Sequence, residues 1–404
     1  MIAAFILAFT YLALSVGRVP GLRSDRLAAC IIGGVLTVAL GVISLGDAQA
    51  SIDAPTIGLL FGMMVLSAAV EVSGAFGLAG HWITRVARGP KALLVAVSVA
   101  SAVLSAFLIN DVVCIALTPL VLHVAERLRR DPRPYLLALA TSSNVGSVAT
   151  ITGNPQNILI GSLSHVSYAR FAAALAPVAA IALVINVVVI ALVFRRELGG
   201  ALEPQADEMP PQVFRRWVYK SSVVIAGVLV AFALGVPPVL AALIGASAML
   251  VTRAVDPKRL YVRVDWTLLA LFVGLFVVVA GAERAGLASR ALRVLAPLHA
   301  DSVWGLTAIT AVLSNLVSNV PAVMVLKSTI PQLPHPESAW LTLAMASTLA
   351  GNLTLPGSIA TIIVVERARG SARISFWDFA KVGVPSALAS LAVGAAWLRW
   401  AAPG

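Results

Sequence analysis

Long apolar segments with almost no charge run through the whole chain, and this feature limits its fold the most. Of 404 residues, 59% are hydrophobic and 12% are charged, whereas a soluble domain has about 25% charged residues. So little polar surface excludes a water-soluble enzyme and a disordered chain, and favours an all-α polytopic membrane protein. The ten candidate spans are 2–16, 27–46, 54–72, 135–163, 171–194, 220–236, 238–252, 266–283, 339–365 and 376–398.

Two further apolar stretches are interrupted near their middle by polar residues. Residues 92–125 contain Ile109-Asn110-Asp111, and residues 303–330 contain Ser318-Asn319-Val320-Pro321. An unpaired backbone group is costly in hydrocarbon, so a broken segment survives only where it lines a cavity. We therefore predict that each stretch is a re-entrant hairpin, which enters the membrane and returns to the same side.

The net charge of +11 is distributed as in the loops of a membrane protein, not as in a nucleic-acid-binding surface. Six loops hold 23 of the 29 Lys and Arg residues, and they fall on one side only if both interrupted stretches are hairpins. The positive-inside rule makes that side cytoplasmic. We predict an inner-membrane protein with both termini outside, whose N-terminus is a first span. The basic loops are 17–26, 85–91, 126–134, 194–220, 253–263 and 366–381.

The second half of the chain repeats the first. Residues 59–74 resemble 271–286, with Glu71 aligned to Glu283, and the two interrupted stretches align Asn110 with Asn319. Each half holds five spans, so the second repeat must enter the membrane upside down, as in secondary transporters. The predicted units are 1–198, a cytoplasmic linker at 199–216, and 217–404.

The two most polar runs inside apolar segments are candidate solute-binding sites. In Thr150–Asn157, Gly153 permits a bend and Pro155 favours the start of a new helix, so that Asn154 and Asn157 share a face. A polar contact around a Pro kink is the alternative interpretation of this run. The second run contains Thr354, Gly357, Ser358 and Thr361, and close helix packing is the alternative there. The candidate substrate-binding residues are Asn110, Thr150, Thr152, Gly153, Asn154, Asn157, Ser318, Asn319, Thr354, Gly357, Ser358 and Thr361.

Asp111 is the only acidic residue that we predict deep in the membrane. Such a carboxyl should be neutral, paired or in contact with a water-filled cavity, and beside a solute site it could couple transport to protons. The alternative is a helix N-cap. Lys327 is more consistent with a structural role, and Cys114 with packing. The five His residues lack metal-ligand spacing, and ATP-binding and hydrolase motifs are missing, so we expect no metal, cofactor or catalytic residue.

These motifs resemble the ion transporter superfamily, which includes arsenite permeases, sodium/proton antiporters of the D type, citrate transporters and divalent-anion/sodium symporters. The resemblance is strongest in FLINDVVCIALTPLVL, SNVGSVATITGNPQNILIG, SNLVSNVPAVMVL and LTLPGSIATIIVVERARGSARISFWDFAKVG, and is closest to the arsenite permeases. It implies an elevator-type carrier. The implied site residues are Asn110, Asp111, Thr152, Asn154, Asn157, Asn319, Thr354, Ser358 and Thr361.

The chain departs from the sodium-coupled dicarboxylate members of that superfamily, which carry Ser-Asn-Thr at both hairpin tips. Here the tips read Ile109-Asn110-Asp111 and Ser318-Asn319-Val320, so a titratable carboxyl replaces hydroxyl ligands suited to sodium. We therefore predict export of arsenite or antimonite coupled to protons. A symporter of a small organic or inorganic anion and a sodium/proton antiporter are the alternatives. The expected partners are the solute, protons and the lipid bilayer, without nucleic acid; a homodimer and a soluble ATPase on the cytoplasmic side are left open.

Overall fold

The computed structural model describes residues 1–16, 25–200, 213–251, 255–287, 290, 293 and 296–401. Within these residues the chain forms nineteen α-helices and four short 3-10 turns. The first ten helices are α1 (Ile2–Val16), α2 (Arg26–Ala39), α3 (Leu45–Ser51), α4 (Ala54–Ser73), α5 (Ala75–Val86), α6 (Pro90–Phe107), α7 (Asn110–Arg127), α8 (Arg133–Ser147), α9 (Pro155–Leu163) and α10 (Tyr168–Val193).

The remaining described helices follow residue 213. They are α11 (Arg215–Ala233), α12 (Pro238–Leu250), α13 (Lys258–Tyr261), α14 (Trp266–Arg284), α15 (Val303–Val317), α16 (Asn319–Leu326), α17 (Pro336–Ala350), α18 (Ile359–Ala368) and α19 (Phe376–Ala401). In the part of the chain that the structure describes, six helices are long and apolar enough to cross a membrane, namely α4, α6, α10, α11, α14 and α19.

Each interrupted stretch consists of two helices with a break of one or two residues. We call α6 and α7 the first helix pair, and α15 and α16 the second helix pair. The first pair is interrupted at Leu108 and Ile109, and the second at Ser318. The breaks lie where the polar motifs predict them. The re-entrant path of both pairs through a membrane stays a prediction.

Two of the predicted spans are broken helices. The first broken helix consists of α8, a 3-10 turn at Ile151–Gly153, and α9, which resumes at Pro155 as the sequence indicates. The second broken helix consists of α17, a 3-10 turn at Leu355–Gly357, and α18. Both turns follow a residue in extended conformation, Thr150 and Thr354, so the two breaks have the same design.

The helices pack in two sets. The frame helices are α1, α2, α4, α11, α12 and α14, in which α2 packs on α14 and α12 packs on α4. In the other set each helix pair packs on the broken helix of its own half, and α7 also packs on α18 of the other half. The close approach of α6 to α8 depends on Gly146, because a methyl group there would lie 2.1 Å from the carbonyl oxygen of Ala102.

Two short helices were not predicted from the sequence. Residues 46–53 were predicted to be an external loop, but Ser44 and Asp47 form a capping box that starts α3, with Ser44 Oγ accepting from the Asp47 amide at 3.0 Å. The amphipathic α5 buries Phe76, Gly80 and Ile83 on one face. It is too short for a span, so a search for spans missed it.

The ends of the predicted segments also differ in places. The span predicted at 27–46 ends at Ala39, because residues 40–44 turn towards α3. The predicted linker 199–216 lies mostly outside the described residues, and Arg215 and Arg216 belong to α11. The predicted basic loops 17–26 and 253–263 also lie partly outside the described residues.

Candidate functional site

Buried amide and hydroxyl groups meet where the two broken helices come together. One centre of this cluster is Asn144, near the end of α8. Its Oδ1 accepts hydrogen bonds from Asn110 Nδ2 at 3.1 Å and from Ser358 Oγ at 3.0 Å, and its Nδ2 donates to Asn352 Oδ1 at 2.8 Å. Asn144 therefore joins the first helix pair to the second broken helix.

The second centre is Thr348, at the corresponding place in α17. Its Oγ1 accepts hydrogen bonds from Asn154 Nδ2 at 3.1 Å and from Gln156 Nε2 at 3.2 Å, and it lies 3.4 Å from Asn157 Oδ1. Thr348 is 1% exposed and Asn157 is fully buried, so these bonds form away from solvent. We call the Asn144 and Thr348 centres together the amide cluster.

The two centres have matching spacings along the chain. Asn144 and Thr348 are 204 residues apart, and so are their partners Asn154 and Ser358. In each half, a polar side chain near the end of the first helix segment bonds the residue that begins the second segment of the other half. This reciprocal exchange is the contact that an inverted repeat would produce.

The start of α9 is fixed by its own side chains. Asn154 is the N-cap residue, whose Oδ1 accepts the amide of Asn157 at 2.8 Å. The side chain of Asn157 turns back, and its Nδ2 donates to the carbonyl oxygens of Ser147 at 3.0 Å and Thr150 at 3.1 Å. These bonds pair the carbonyls that the break leaves free, which is the condition for a broken helix inside a membrane.

Hydroxyl groups on the other side of the first break bind neighbouring helices. Thr150 Oγ1 donates to the carbonyl oxygen of Ala106 in α6 and lies 3.3 Å from Thr152 Oγ1. Thr152 Oγ1 in turn lies 3.3 Å from the hydroxyl of Tyr168, the first residue of α10. Gly153 allows the turn to pack closely, because a methyl group there would lie 2.4 Å from the Ser147 carbonyl oxygen.

The second break is joined to the second helix pair. Thr354 Oγ1 donates to Asn315 Oδ1 at 2.8 Å, and Asn315 Nδ2 donates to the carbonyl oxygen of Ala350 at 2.8 Å. The amide of Asn319, oriented as its neighbours require, donates to the carbonyl oxygens of Ser347 at 3.1 Å and Gly357 at 3.2 Å. The tip of the second pair is thus bonded to the first segment and to the 3-10 turn of the second broken helix.

Four predicted site residues have side-chain polar groups without a hydrogen bond among the described residues, and one of these groups is the hydroxyl of Ser318. The carboxylate of Asp111 is half-buried in the first turn of α7, next to Asn110. The Thr361 hydroxyl is buried without a partner, and so is the Oδ1 atom of Asn110. Asp111 is not an N-cap, because α7 begins at Asn110 and the cap position is held by Ile109, whose side chain makes no cap bond.

Sequence reasoning missed the residues that connect the predicted ones. Asn144, Asn315, Thr348 and Asn352 lie inside regular helix or just beyond it, not in the visible breaks. A usable signal was present, since a polar side chain in an apolar segment needs a buried partner.

Lys327 and Cys114 have structural surroundings. Lys327 Nζ lies 3.7 Å from Glu283 Oε1 and 5.4 Å from the centre of the Phe276 ring. Cys114 is fully buried, with its Sγ 3.1 Å from Ser143 Oγ.

This arrangement, with apolar helices around a buried uncharged cluster at paired helix breaks, defines a multi-pass membrane carrier. The chain belongs to the citrate transporter family, whose family description matches residues 11–350. It is 33% identical over 449 residues to a silicon efflux transporter of Oryza sativa subsp. japonica, covering 93% of each chain. It is 24% identical over 486 residues to a transporter of Dictyostelium discoideum named arsB, covering 91% of this chain and 86% of that protein.

A solved structure has the same fold at low sequence identity. The YdaH transporter of Alcanivorax borkumensis superposes with a TM-score of 0.61 at 16% identity, covering 98% of this chain and 97% of the other. The helix order described above is therefore shared with a transporter whose sequence has diverged far from this one.

Proposed function

We propose that this protein is a secondary transporter of the inner membrane that exports arsenite or antimonite in exchange for protons. The observation that carries the proposal is the chemistry of the amide cluster, in which every hydrogen bond joins an amide, a hydroxyl or a backbone group. Such groups offer donors and acceptors without net charge. Arsenous acid is neutral at neutral pH and carries only hydroxyl groups, so it matches this set.

The relatives support the same class of solute. One is named a silicon efflux transporter and another is named arsB. Silicic acid and arsenous acid are both small, neutral and hydroxylated, so a cluster of amides and hydroxyls suits either one. A multiply charged carboxylate would instead call for a guanidinium or ammonium partner.

Asp111 provides the proton step in this proposal. Its carboxylate is next to Asn110, which bonds the Asn144 centre directly, and it has no hydrogen bond among the described residues. A carboxyl placed there can take up a proton when the solute leaves and release it when the solute binds.

The proposed topology follows from the same contacts. We propose ten membrane spans and two re-entrant helix pairs, arranged as inverted repeats at 1–198 and 217–404 with both termini outside. The exchanged contacts of Asn144 and Thr348 support this symmetry. In the elevator step, the helix pairs and broken helices move as one body against the frame helices, because they pack mainly on one another.

Proton-driven uptake into everted membrane vesicles tests the function. We expect an imposed pH gradient to drive arsenite uptake in vesicles that contain the wild-type protein. Asp111→Asn should reduce this uptake to the rate of vesicles without the protein, and exchange of labelled for unlabelled arsenite should persist. Glu337→Gln is the control, because that carboxyl is exposed and ion-paired with Arg170. Undiminished pH-driven uptake in Asp111→Asn would contradict the coupling role.

The family description favours one further candidate, a symporter of a citrate-like anion. The same vesicles separate the two functions. Sodium- or proton-dependent uptake of labelled citrate, without any arsenite or antimonite transport, would select the symporter. Competition of arsenite uptake by silicic acid, but not by citrate, would support a pocket for neutral hydroxylated solutes.

A further inference from the structure

A second polar cavity lies at the corner where α15, α17 and α19 meet. Its volume is about 340 Å³, and it shares no lining residue with the amide cluster. A cavity of this size can hold a small ligand. Its polar lining residues come from the N-terminal ends of α15 and α17 and the last turn of α19, and they are Asp301, Ser302, His335, Ser338, Thr342 and Arg399.

The cavity carries two opposite charges that do not meet. Asp301 and Arg399 are both exposed and both line it, yet neither forms an ion pair with any described residue. Because the two side chains are exposed and separated by solvent, their opposite charges gain little interaction energy from each other. A ligand that carries both a negative and a positive group could bridge them.

The start of α17 adds a site for a negatively charged group. Its N-cap residue, His335, makes no cap bond through its side chain, so the first-turn amides lack a side-chain acceptor. The neighbouring α15 differs, since Ser302 Oγ accepts its Gly305 amide at 3.0 Å. The nearby charge of Glu337 is compensated by Arg170, at 2.8 Å.

Ser338 adds a nearly buried hydroxyl-bearing side chain to this cavity. It is 7% exposed and lines the cavity from the first turn of α17. Its hydroxyl has no hydrogen-bond partner in the part of the chain that the structure describes, although buried hydroxyls normally have one. An oxygen atom of a ligand in the cavity would supply it. The hydroxyl, the free amides and Arg399 therefore suit a phosphate.

Exposed tryptophans place the cavity at the level of lipid headgroups. Trp304 and Trp400 are 46% and 73% exposed, and each directly follows a lining residue, Val303 and Arg399. Tryptophan is enriched where a membrane protein crosses from hydrocarbon to water. A ligand in this cavity could thus keep an acyl chain in the membrane.

We propose that this cavity binds a phosphate–ammonium zwitterion. The phosphate would contact Arg399, Ser338 and the start of α17, and the ammonium would contact Asp301. The headgroup of phosphatidylethanolamine and soluble phosphoethanolamine share this chemistry, and the experiment distinguishes the two sources. The site is separate from the solute pathway, so its test does not depend on the transported substrate.

Binding to the purified full-length protein in detergent tests the proposal. We would measure thermal unfolding and lipid adducts by native mass spectrometry with phosphatidylethanolamine, phosphatidylglycerol or phosphatidylcholine of the same acyl chains, and with soluble phosphoethanolamine. We expect phosphatidylethanolamine to stabilise the protein most. A response to soluble phosphoethanolamine alone would assign the site to a free zwitterion.

Two variants locate the binding, and a third is the control. Arg399→Gln should weaken phosphatidylethanolamine binding about tenfold or more, and Asp301→Asn should remove its advantage over phosphatidylglycerol. Arg284→Gln should bind like the wild type, since Arg284 pairs with Asp47 away from the cavity. Equal binding of all three lipids, or unchanged binding by Arg399→Gln in a protein that elutes as a folded monodisperse peak, would overturn the proposal.

Discussion

The tips of the two helix pairs occupy equivalent places in the repeat, yet they are built differently. At the first tip, Ile109 has an ordinary extended backbone, with φ −62° and ψ 122°, and is followed by Asn110 and the titratable Asp111. At the second tip, Ser318 has φ 78° and ψ 160°, a conformation that few residues other than glycine adopt. No acidic residue follows it. The first tip therefore has a titratable carboxyl on an unstrained backbone. The second tip has a strained backbone and no acidic residue.

The frame helices also hold the two tips differently. At the first tip the amide of Ile109 donates to Ser67 Oγ in α4, over a long distance of 3.4 Å. At the second tip the hydroxyl of Tyr11 in α1 donates to the carbonyl oxygen of Pro321 at 3.0 Å. The stronger bond is on the strained side. The comparison shows that the titratable carboxyl lies on the unstrained, more loosely bonded tip, and that the strained tip is held by the shorter hydrogen bond.

The largest expected effect is on the two centres of the amide cluster. Asn144→Ala would remove the partner of Asn110, Asn352 and Ser358 at once, which should cost about 3 kcal/mol or more, since each buried group left unpaired costs about 1–3 kcal/mol. Thr348→Val should cost only about 1–2 kcal/mol, because Asn154 keeps its bond to Ser147 Oγ at 2.9 Å.

Chemical unfolding in detergent compares these two variants. Equal losses of unfolding free energy would show that the two centres share the energy evenly. That result would contradict the ranking given by their hydrogen bonds.

Alanine substitutions at the glycines of the two broken helices should differ in the unfolding free energy that they cost, by a smaller amount. In Gly153→Ala the new methyl group would lie 2.4 Å from the Ser147 carbonyl oxygen and 2.9 Å from that of Ser105. These backbone atoms cannot move separately, so we expect a loss of about 2–3 kcal/mol. In Gly357→Ala the nearest atoms are side-chain atoms, Asn315 Oδ1 at 2.8 Å and Thr354 Oγ1 at 3.0 Å.

Those side chains can rotate, and we expect Gly357→Ala to cost about 1 kcal/mol. Thermal unfolding of both variants side by side is the measurement. A Gly357→Ala protein less stable than Gly153→Ala would show that the second break is the more tightly packed one.

The strain at the second tip predicts a stabilising substitution. Ser318→Gly should raise the unfolding free energy by about 1 kcal/mol, because glycine adopts this conformation without steric cost. The matched change at the first tip, Ile109→Gly, should lower it by about 2–4 kcal/mol, since Ile109 is 2% exposed and its backbone is unstrained. The measurement is the melting temperature of the two variants, which should rise for Ser318→Gly and fall for Ile109→Gly. Destabilisation by Ser318→Gly would mean that the serine side chain stabilises the tip.

The smallest expected effect on stability comes from the short helices that precede α4 and α14, namely α3 and α13. In the first half, hydrogen bonds from the Ser44 side chain and backbone, together with Arg284, lower the pKa of the exposed Asp47 carboxyl below its ordinary value of 3.8. A lowered pKa in the folded state means that this stabilisation is present above the ordinary value and is lost as the pH falls through the folded-state pKa. In the second half, α13 has no side-chain cap.

Asp47→Asn should therefore lower the melting temperature slightly at neutral pH. The difference from the wild type should shrink as the pH falls below the ordinary pKa of aspartate, and disappear below the lowered pKa of Asp47 in the folded protein. Melting curves across this pH range provide the check, and a difference that persists at the acid end would exclude the charge as its cause.

The positions of the helix breaks could be predicted from the sequence because each break is local. Pro155 and Gly153 determine where the first broken helix stops and resumes, and the Asn110 motif marks the first tip. These signals depend on backbone chemistry within a few residues. The helix that resumes at Pro155 has Asn154 as its N-cap residue, whose Oδ1 accepts the amide of Asn157.

The contacts between halves could not be predicted in this way. Asn144 lies in regular helix, and its importance comes from Ser358, which is 214 residues away. Thr354 bonds Asn315 for a similar reason. Hydropathy shows that a polar side chain is buried but not which partner it finds. The strain at Ser318 was also hidden, because nothing in a Ser-Asn-Val motif signals a positive φ.

The internal pairing of the amide cluster has a consequence for turnover. Since most of its donors and acceptors already bond each other, an arriving solute exchanges one set of hydrogen bonds for another and does not fill a vacancy. The net gain on loading is then modest, which keeps release fast enough for repeated cycles. In the proposed exchange, the protonated carrier would return across the bilayer with these polar groups still paired, and so without a shell of bound water.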